Sequence, residues 1–194
     1  MTSTRPAVSV ELVTDPERAA SVAEVAGATF PLACPPHAAT EDIAQFIATN
    51  LGERNFRWYI ADPDADVLVA RDGAGGPIIG YALVLHGDPT NPVVAELVPE
   101  RPASEVSKMY VLPDHHSRPG LSPSRALMDA ALDRARDRGS VVVWLGVNQL
   151  NERAQKFYAK TGFTRAGVRT FDLGGSVEHD YVFTQKLESS YRRR

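Results

Sequence analysis

Tyr158 follows Phe157 in a short run that Asn151 opens and Gly162 closes. At helical spacing Phe157 takes an apolar face, while Tyr158 can carry its hydroxyl to the edge of a cleft. A phenol is neutral at pH 7 and can donate a proton at short range. The same placement also suits a buried tyrosine that satisfies one hydrogen bond. Ser122-Pro123 forms an N-cap and first-turn pair, so a helix N-terminus should face the preceding loop. Hydroxyls of Ser122 and Ser124 can bind phosphate there, with Arg118 or Arg125 neutralising it and Gly120 as the permissive residue of the loop. The plainer alternative is that the serines cap the helix and both arginines are solvated. His115 and His116 have no metal-ligand partners at recognisable spacing, so no metal site is expected. Cys34, between Ala33 and Pro35, has no basic neighbour to activate it and reads as a small apolar filler.

These residues need a frame. Val8–Val13 alternates in part like a half-buried strand, and Asp15-Pro16-Glu17 reads as a helix start. Val22, Val25, Ala26 and Thr29 share a helical face that Phe30-Pro31 ends. Thr40 is placed to cap a second helix striped with Ile43, Phe46, Ile47 and Leu51, closed by Gly52. Three extended segments follow: Phe56–Ala61 with Val67–Ala70, then Ile78–Leu85, then Val106–Leu112. The linkers 72–76 and 88–92 have turn chemistry. An amphipathic helix carries Leu127, Ala131, Leu132 and Ala135 to Gly139. A buried strand at Val141–Val147 comes next, then the short helix from Asn151 and two strands joined by Gly174-Gly175-Ser176. A strand–helix–strand crossover around Leu127–Ala135 implies a parallel pair, hence an α/β fold with a mixed sheet in the order β-α-α-β-β-β-α-β-α-β-β.

The chain has 194 residues, 43% apolar and 23% charged, which suits one soluble domain spanning 1–194 with frayed ends at 1–6 and 188–194. Its longest purely apolar run, Val141–Leu145, is too short to span a bilayer, and no signal-like segment opens the chain. One cysteine excludes a disulfide framework, and cytoplasm is the expected location. Net charge is −3, and removing the basic Arg192–Arg194 tail leaves 18 basic against 24 acidic groups, or −6. No dense basic face points to nucleic acid.

Counted from Asn151, the segment matches Asn-x-x-Ala-x-x-Phe-Tyr-x-x-x-Gly-Phe at every fixed position, through Ala154, Phe157, Tyr158, Gly162 and Phe163. It resembles the late strand and helix of GNAT acetyltransferases, and with the element order the resemblance covers nearly the whole chain. The Trp144-Leu145-Gly146-Val147 lead-in, Phe171, Gly174 and Asp180 resemble the bacterial spermidine/spermine branch. The family resemblance implies acetyl-CoA as co-substrate and a small primary amine as acceptor. It implies Tyr158 as the acid at the departing thiolate, with Glu105 drawing a proton from the amine; read alone, Glu105 is a solvated strand-end carboxylate. Backbone near Met109, Tyr110 and Val111 would pair with the pantetheine arm, and the Asn151 amide can turn to the cofactor. One segment departs from the pattern. Where the family has Gln/Arg-x-x-Gly-x-Gly/Ala, Pro119, Ser122 and Ser124 stand in a loop about three residues longer. Either the pyrophosphate loop is rebuilt around Arg118, Gly120, Ser122, Ser124 and Arg125, or the chain is a non-catalytic acyl-CoA-binding module. Acceptor walls are expected from Phe30, Glu41, Asp42, Glu178 and His179, whose carboxylates suit a polyamine. An antibiotic, an amino acid or a protein N-terminus is the alternative acceptor. Family members are often dimers, and the sequence picks out no interface.

Overall fold

The computed structural model describes residues 8–116, 122–173 and 176–188, with backbone alone at 171–173 and 176. Strand β1 (Val8–Leu12) leads through a 3-10 turn at Pro16–Arg18 into α1 (Ala19–Thr29). Asp15 Oδ1 accepts from Glu17 N at 2.9 Å, as its place before proline predicts. α2 (Thr40–Asn50), α3 (Glu53–Ala61), β2 (Ala65–Asp72), β3 (Ile78–His86), α4 (Pro92–Leu97) and β4 (Ala103–Val111) follow. The chain ends with α5 (Pro123–Asp137), β5 (Val142–Asn148), α6 (Glu152–Lys160), β6 (Thr164–Leu173) and β7 (Ser176–Lys186). All seven strands form one sheet in the order β1-β2-β3-β4-β5-β7-β6, antiparallel except for β4 and β5. This is the expected mixed α/β sheet with its one parallel crossover through α5.

Two helices depart from the sequence reading. Phe56–Ala61, expected to be extended, is the body of α3. Its aromatics favour strands, but Phe56, Tyr59 and Ile60 recur at helical spacing and pack on the core under α1. Asn55 folds back on the helix start and accepts from Gly52 N at 3.2 Å, and Arg57 pairs with Glu53 one turn away. Asn91 and Pro92, taken as the end of a linker, open α4: Asn91 Oδ1 accepts from Val93 N and Val94 N, and Pro92 fills the first turn. Thr40 is the first residue of α2 and makes no capping bond, the cap position falling to Ala39.

Apolar side chains gather on both sheet faces. α5 and α6 cover one with Leu127, Met128, Ala131 and Tyr158. α1–α3 cover the β2–β3 part of the other, and α4 seals its β5–β7 part through Val94, Val98 and Trp144.

The site is opened by β4. It pairs with β5 only at Ala103–Val142, Ser104–Val143 and Glu105–Trp144. Just beyond, its register with β3 slips, Leu83 facing Lys108 and Val84 facing Val106, so Ser107 is an extra residue. Such a bulge bends the strand. β4 and β5 therefore part after Glu105 and leave a gap in the sheet.

Candidate active site

The gap is the throat of a cleft of about 540 Å³, walled by β4 from Glu105 to Val111, by β5 at 146–148, by Phe30–Pro35, and by Ser122, Ser124, Asn151, Tyr158, Arg169, Glu178 and Asp180. Leu112 N bonds to Ile79 O on β3 at 2.8 Å. Backbone alternation then turns the peptide groups of Met109 and Val111 toward the open edge. This edge can accept an extended chain as a strand would. Val111 O already accepts from His116 Nε2 at 2.6 Å. His116, which the sequence left as a loop residue, thus straps the strand's end.

Strand register sorts the walls. Residues paired across neighbouring strands share a face. Glu105, Trp144, Gly146, Asn148, Asp180 and Arg169 lie on one side. Tyr158 packs on the other, with Leu145, Val147 and Phe183. Glu105 and Tyr158 therefore approach the gap from opposite faces. Burial pushes the Glu105 carboxyl above its ordinary value, against the pull of Arg169 and Lys108. A carboxylate so tuned is a better proton acceptor near neutrality. Burial pushes the Tyr158 phenol up to about 12, keeping its proton at neutral pH. Lys108 is drawn below its ordinary value by burial, with Glu105 opposing.

At the phosphate end, Ser122 caps α5, its Oγ accepting from Arg125 N at 3.3 Å, and both Ser122 and Ser124 line the cleft. Arg125 instead points along its helix, donating to Asp129 at 2.8 Å and leaving the cleft wall. A neighbour one turn away competes for its charge. Arg118 and Gly120 lie outside the described residues. Asn151 lines the cleft, with its Oδ1 committed to capping α6 at Ala154 N, 3.1 Å. Tyr110 sends its ring into the core, where Phe30 meets it edge-on at 6.4 Å and stacks on Phe46 at 4.6 Å.

Of the expected acceptor walls, Phe30 and Glu178 line the cleft. Glu41 is exposed, and neither it nor Asp42 lines the cleft, because the first turn of α2 points away. His179 also points outward: it lies on strand β7, where alternation buries Glu178 and Asp180 and exposes His179. Glu178 accepts from His37 at 2.7 Å and from Asn148 Nδ2 at 3.3 Å. Burial pushes the Asp180 carboxyl up despite Arg169. Cys34 lines the cleft with its thiol pushed up by burial, in keeping with a filler. Sequence reasoning gave Lys108, Asn148 and Arg169 no part in the cleft; their only signal was alternation along strands whose ends were misplaced.

The profile of the acetyltransferase (GNAT) family matches residues 32–163. The chain belongs to the GNAT acetyltransferase family. An uncharacterized N-acetyltransferase of Mycobacterium tuberculosis is 46% identical over 166 residues, which cover 86% of this chain and 96% of that protein. Among solved structures, the PaiA N-acetyltransferase from Thermoplasma acidophilum, in complex with coenzyme A, is similar with a TM-score of 0.68. It is 18% identical and covers 92% of this chain and 99% of that one. YncA from Salmonella typhimurium, solved with acetyl-CoA, has a TM-score of 0.59 at 18% identity, covering 96% and 98%. The chain is therefore a GNAT N-acetyltransferase that uses acetyl-CoA. No helix among the described residues is long and apolar enough to cross a membrane. No cluster of metal-ligating side chains occurs among the described residues either.

Proposed function

We propose that this enzyme acetylates a small primary amine by direct attack on the thioester, with Glu105 as proton acceptor and Tyr158 as the acid at the leaving sulfur. The carrying observation is the gap between β4 and β5, which a half-buried carboxylate approaches from one face and a buried phenol from the other. The open β4 edge at Met109 and Val111 would hold the pantetheine arm, and Ser122 and Ser124 at the start of α5 would face the pyrophosphate. Bound there, acetyl-CoA supplies the activated acyl carbon. An alkylammonium must lose a proton before it can attack, and Glu105 takes it. As the new C–N bond forms and the C–S bond breaks, Tyr158 donates its phenolic proton to sulfur, and the second proton given up by the nitrogen restores the phenol.

Glu178 and Asp180, both buried on the cleft wall, favour a cationic acceptor, and a polyamine is one reading of that charge. The test is release of free thiol from acetyl-CoA by purified protein offered polyamines, aminoglycosides, amino acids and peptides. Amine-dependent release with a matching N-acetyl product supports the proposal. Release that no amine accelerates would overturn it.

A further inference from the structure

Arg169 is a large cation on the acceptor side of the sheet, and the fold has made room for it. It stands on β6 opposite Asp180 of β7, and its guanidinium reaches past β7 to lie over Gly146 of β5. A Cβ at residue 146 would fall 2.7 Å from Arg169 Cζ and 2.8 Å from Nε, and closer still to Nη2. A side chain there would evict the guanidinium, so glycine reserves its place.

Few of the donors of this guanidinium are used. Its bond from Nη2 to Asp180 Oδ2 is long, at 3.5 Å. Nε is buried and has no hydrogen-bond partner among the described residues. Beneath it, 5.3 Å from Arg169 Cζ to the ring centre, lies Trp144, whose indole Nε1 is a second buried donor with no partner among the described residues. Buried donors are nearly always satisfied, and an orphan on a cleft wall indicates a missing acceptor. Lys108, also on the wall, makes a 3.4 Å contact to Ser107 Oγ as its one side-chain hydrogen bond among the described residues. An acceptor that was cationic throughout would meet both charges, whereas a planar anion matches the donor fork of arginine.

We infer that Arg169 binds a carboxylate of the acceptor, so that the amine this enzyme acetylates is carried on an amino acid or a similar zwitterion. The inference rests on the acetyl-transfer reading for the amine end only. Glu105 takes the amine, and Arg169 anchors the carboxylate further along the same face.

Two measurements test it. In thiol release, the standard α-amino acids are compared with their carboxamides. Wild type should favour the acid of at least one pair by about 10- to 100-fold in kcat/KM, the loss expected when a charge-assisted anchor is missing. Arg169→Gln should erase that preference, raising KM for the acid about 10-fold or more beyond any change for the amide. Gly146→Ala, which displaces the guanidinium without removing it, should do the same. Thermal melting checks that each variant folds. Wild-type preference for every carboxamide, or equal losses on acid and amide in Arg169→Gln, would overturn the inference. Calorimetry of N-acetyl amino acids with CoA-saturated protein reads the anchor without turnover. Binding that Arg169→Gln abolishes supports the inference, and no binding to wild type overturns it. Intact binding with no acetyl transfer to any amine would instead overturn the proposed function and leave the carboxylate site standing.

Discussion

Glu105 and Trp144 are the last residues that β4 and β5 pair, and both stand on the acceptor face of the sheet. Two positions further the bulge at Ser107 turns β4 away. The residue proposed to take the proton is thus fixed by the last rung of the ladder, while the space for the reaction begins where the ladder stops. A group held by regular backbone pairing loses little orientation on binding.

At the opposite face, Tyr158→Phe keeps the ring contacts with Phe163 and Phe183 and removes only the hydroxyl. We expect kcat to fall about 100-fold, the scale of a lost general acid. Affinity for acetyl-CoA, measured by calorimetry, should be unchanged. Unaltered turnover would remove Tyr158 from the mechanism.

The pH dependence follows from Glu105. Burial raises its pKa, so the carboxylate form needed to accept a proton is reached only above the ordinary glutamate range. With both substrates saturating, kcat should climb with pH through a single ascending limb set by this group. That limb should be missing from Glu105→Gln. A wild-type profile that is flat from pH 5 upward would contradict the assignment.

Stability at low pH should depend on a cluster away from the cleft. Asp66, with its side chain only 4% exposed, accepts from His86 Nε2 at 2.9 Å and Arg134 Nε at 2.7 Å, and Arg138 lies 3.6 Å away. Burial alone would raise its pKa, but the bonds from His86 and Arg134 outweigh burial and hold it below the ordinary aspartate value. A folded pKa below the unfolded one means that ionised Asp66 stabilises the fold above the unfolded pKa. That stabilisation is lost as pH falls toward the folded value. Urea melts should show wild-type stability dropping below about pH 4. Asp66→Ala should lose about 3 kcal/mol at pH 7 and show a shallower acid dependence. The cluster also includes Ser104, whose Oγ lies 2.9 Å from His86 Nδ1 and 2.7 Å from Ser140 Oγ. Ser104 is fully buried, so this serine–histidine–aspartate chain pins the closed end of the β4–β5 pair and meets no substrate.

Much of this was legible in the sequence because it is local. The Asn151-to-Phe163 motif fixes α6 and the place of Tyr158, and Ser122-Pro123 marks the start of α5. The same pairing of a capping side chain with proline, at Asn91-Pro92, would have found α4, but the surrounding Asp88, Pro89 and Thr90 read as turn. Phe56–Ala61 was misread because β-favouring aromatics at helical spacing satisfy both patterns, and packing against the first helix decided between them. The acceptor wall was the least legible part. Whether Glu178 or His179 points inward depends on strand phase, which a shifted strand start inverts. Arg169 and Gly146 meet across an intervening strand, and no spacing along the chain records that contact.

The most direct test of the account is the turnover of Glu105→Gln with a saturating amine acceptor, set beside its affinity for acetyl-CoA. The substitution keeps the size of the side chain and removes its capacity to accept a proton. We predict a fall in kcat of about 100-fold or more with acetyl-CoA binding intact. Turnover equal to wild type, with binding equally intact, would contradict the claim that amine activation occurs at the mouth of the β4–β5 gap.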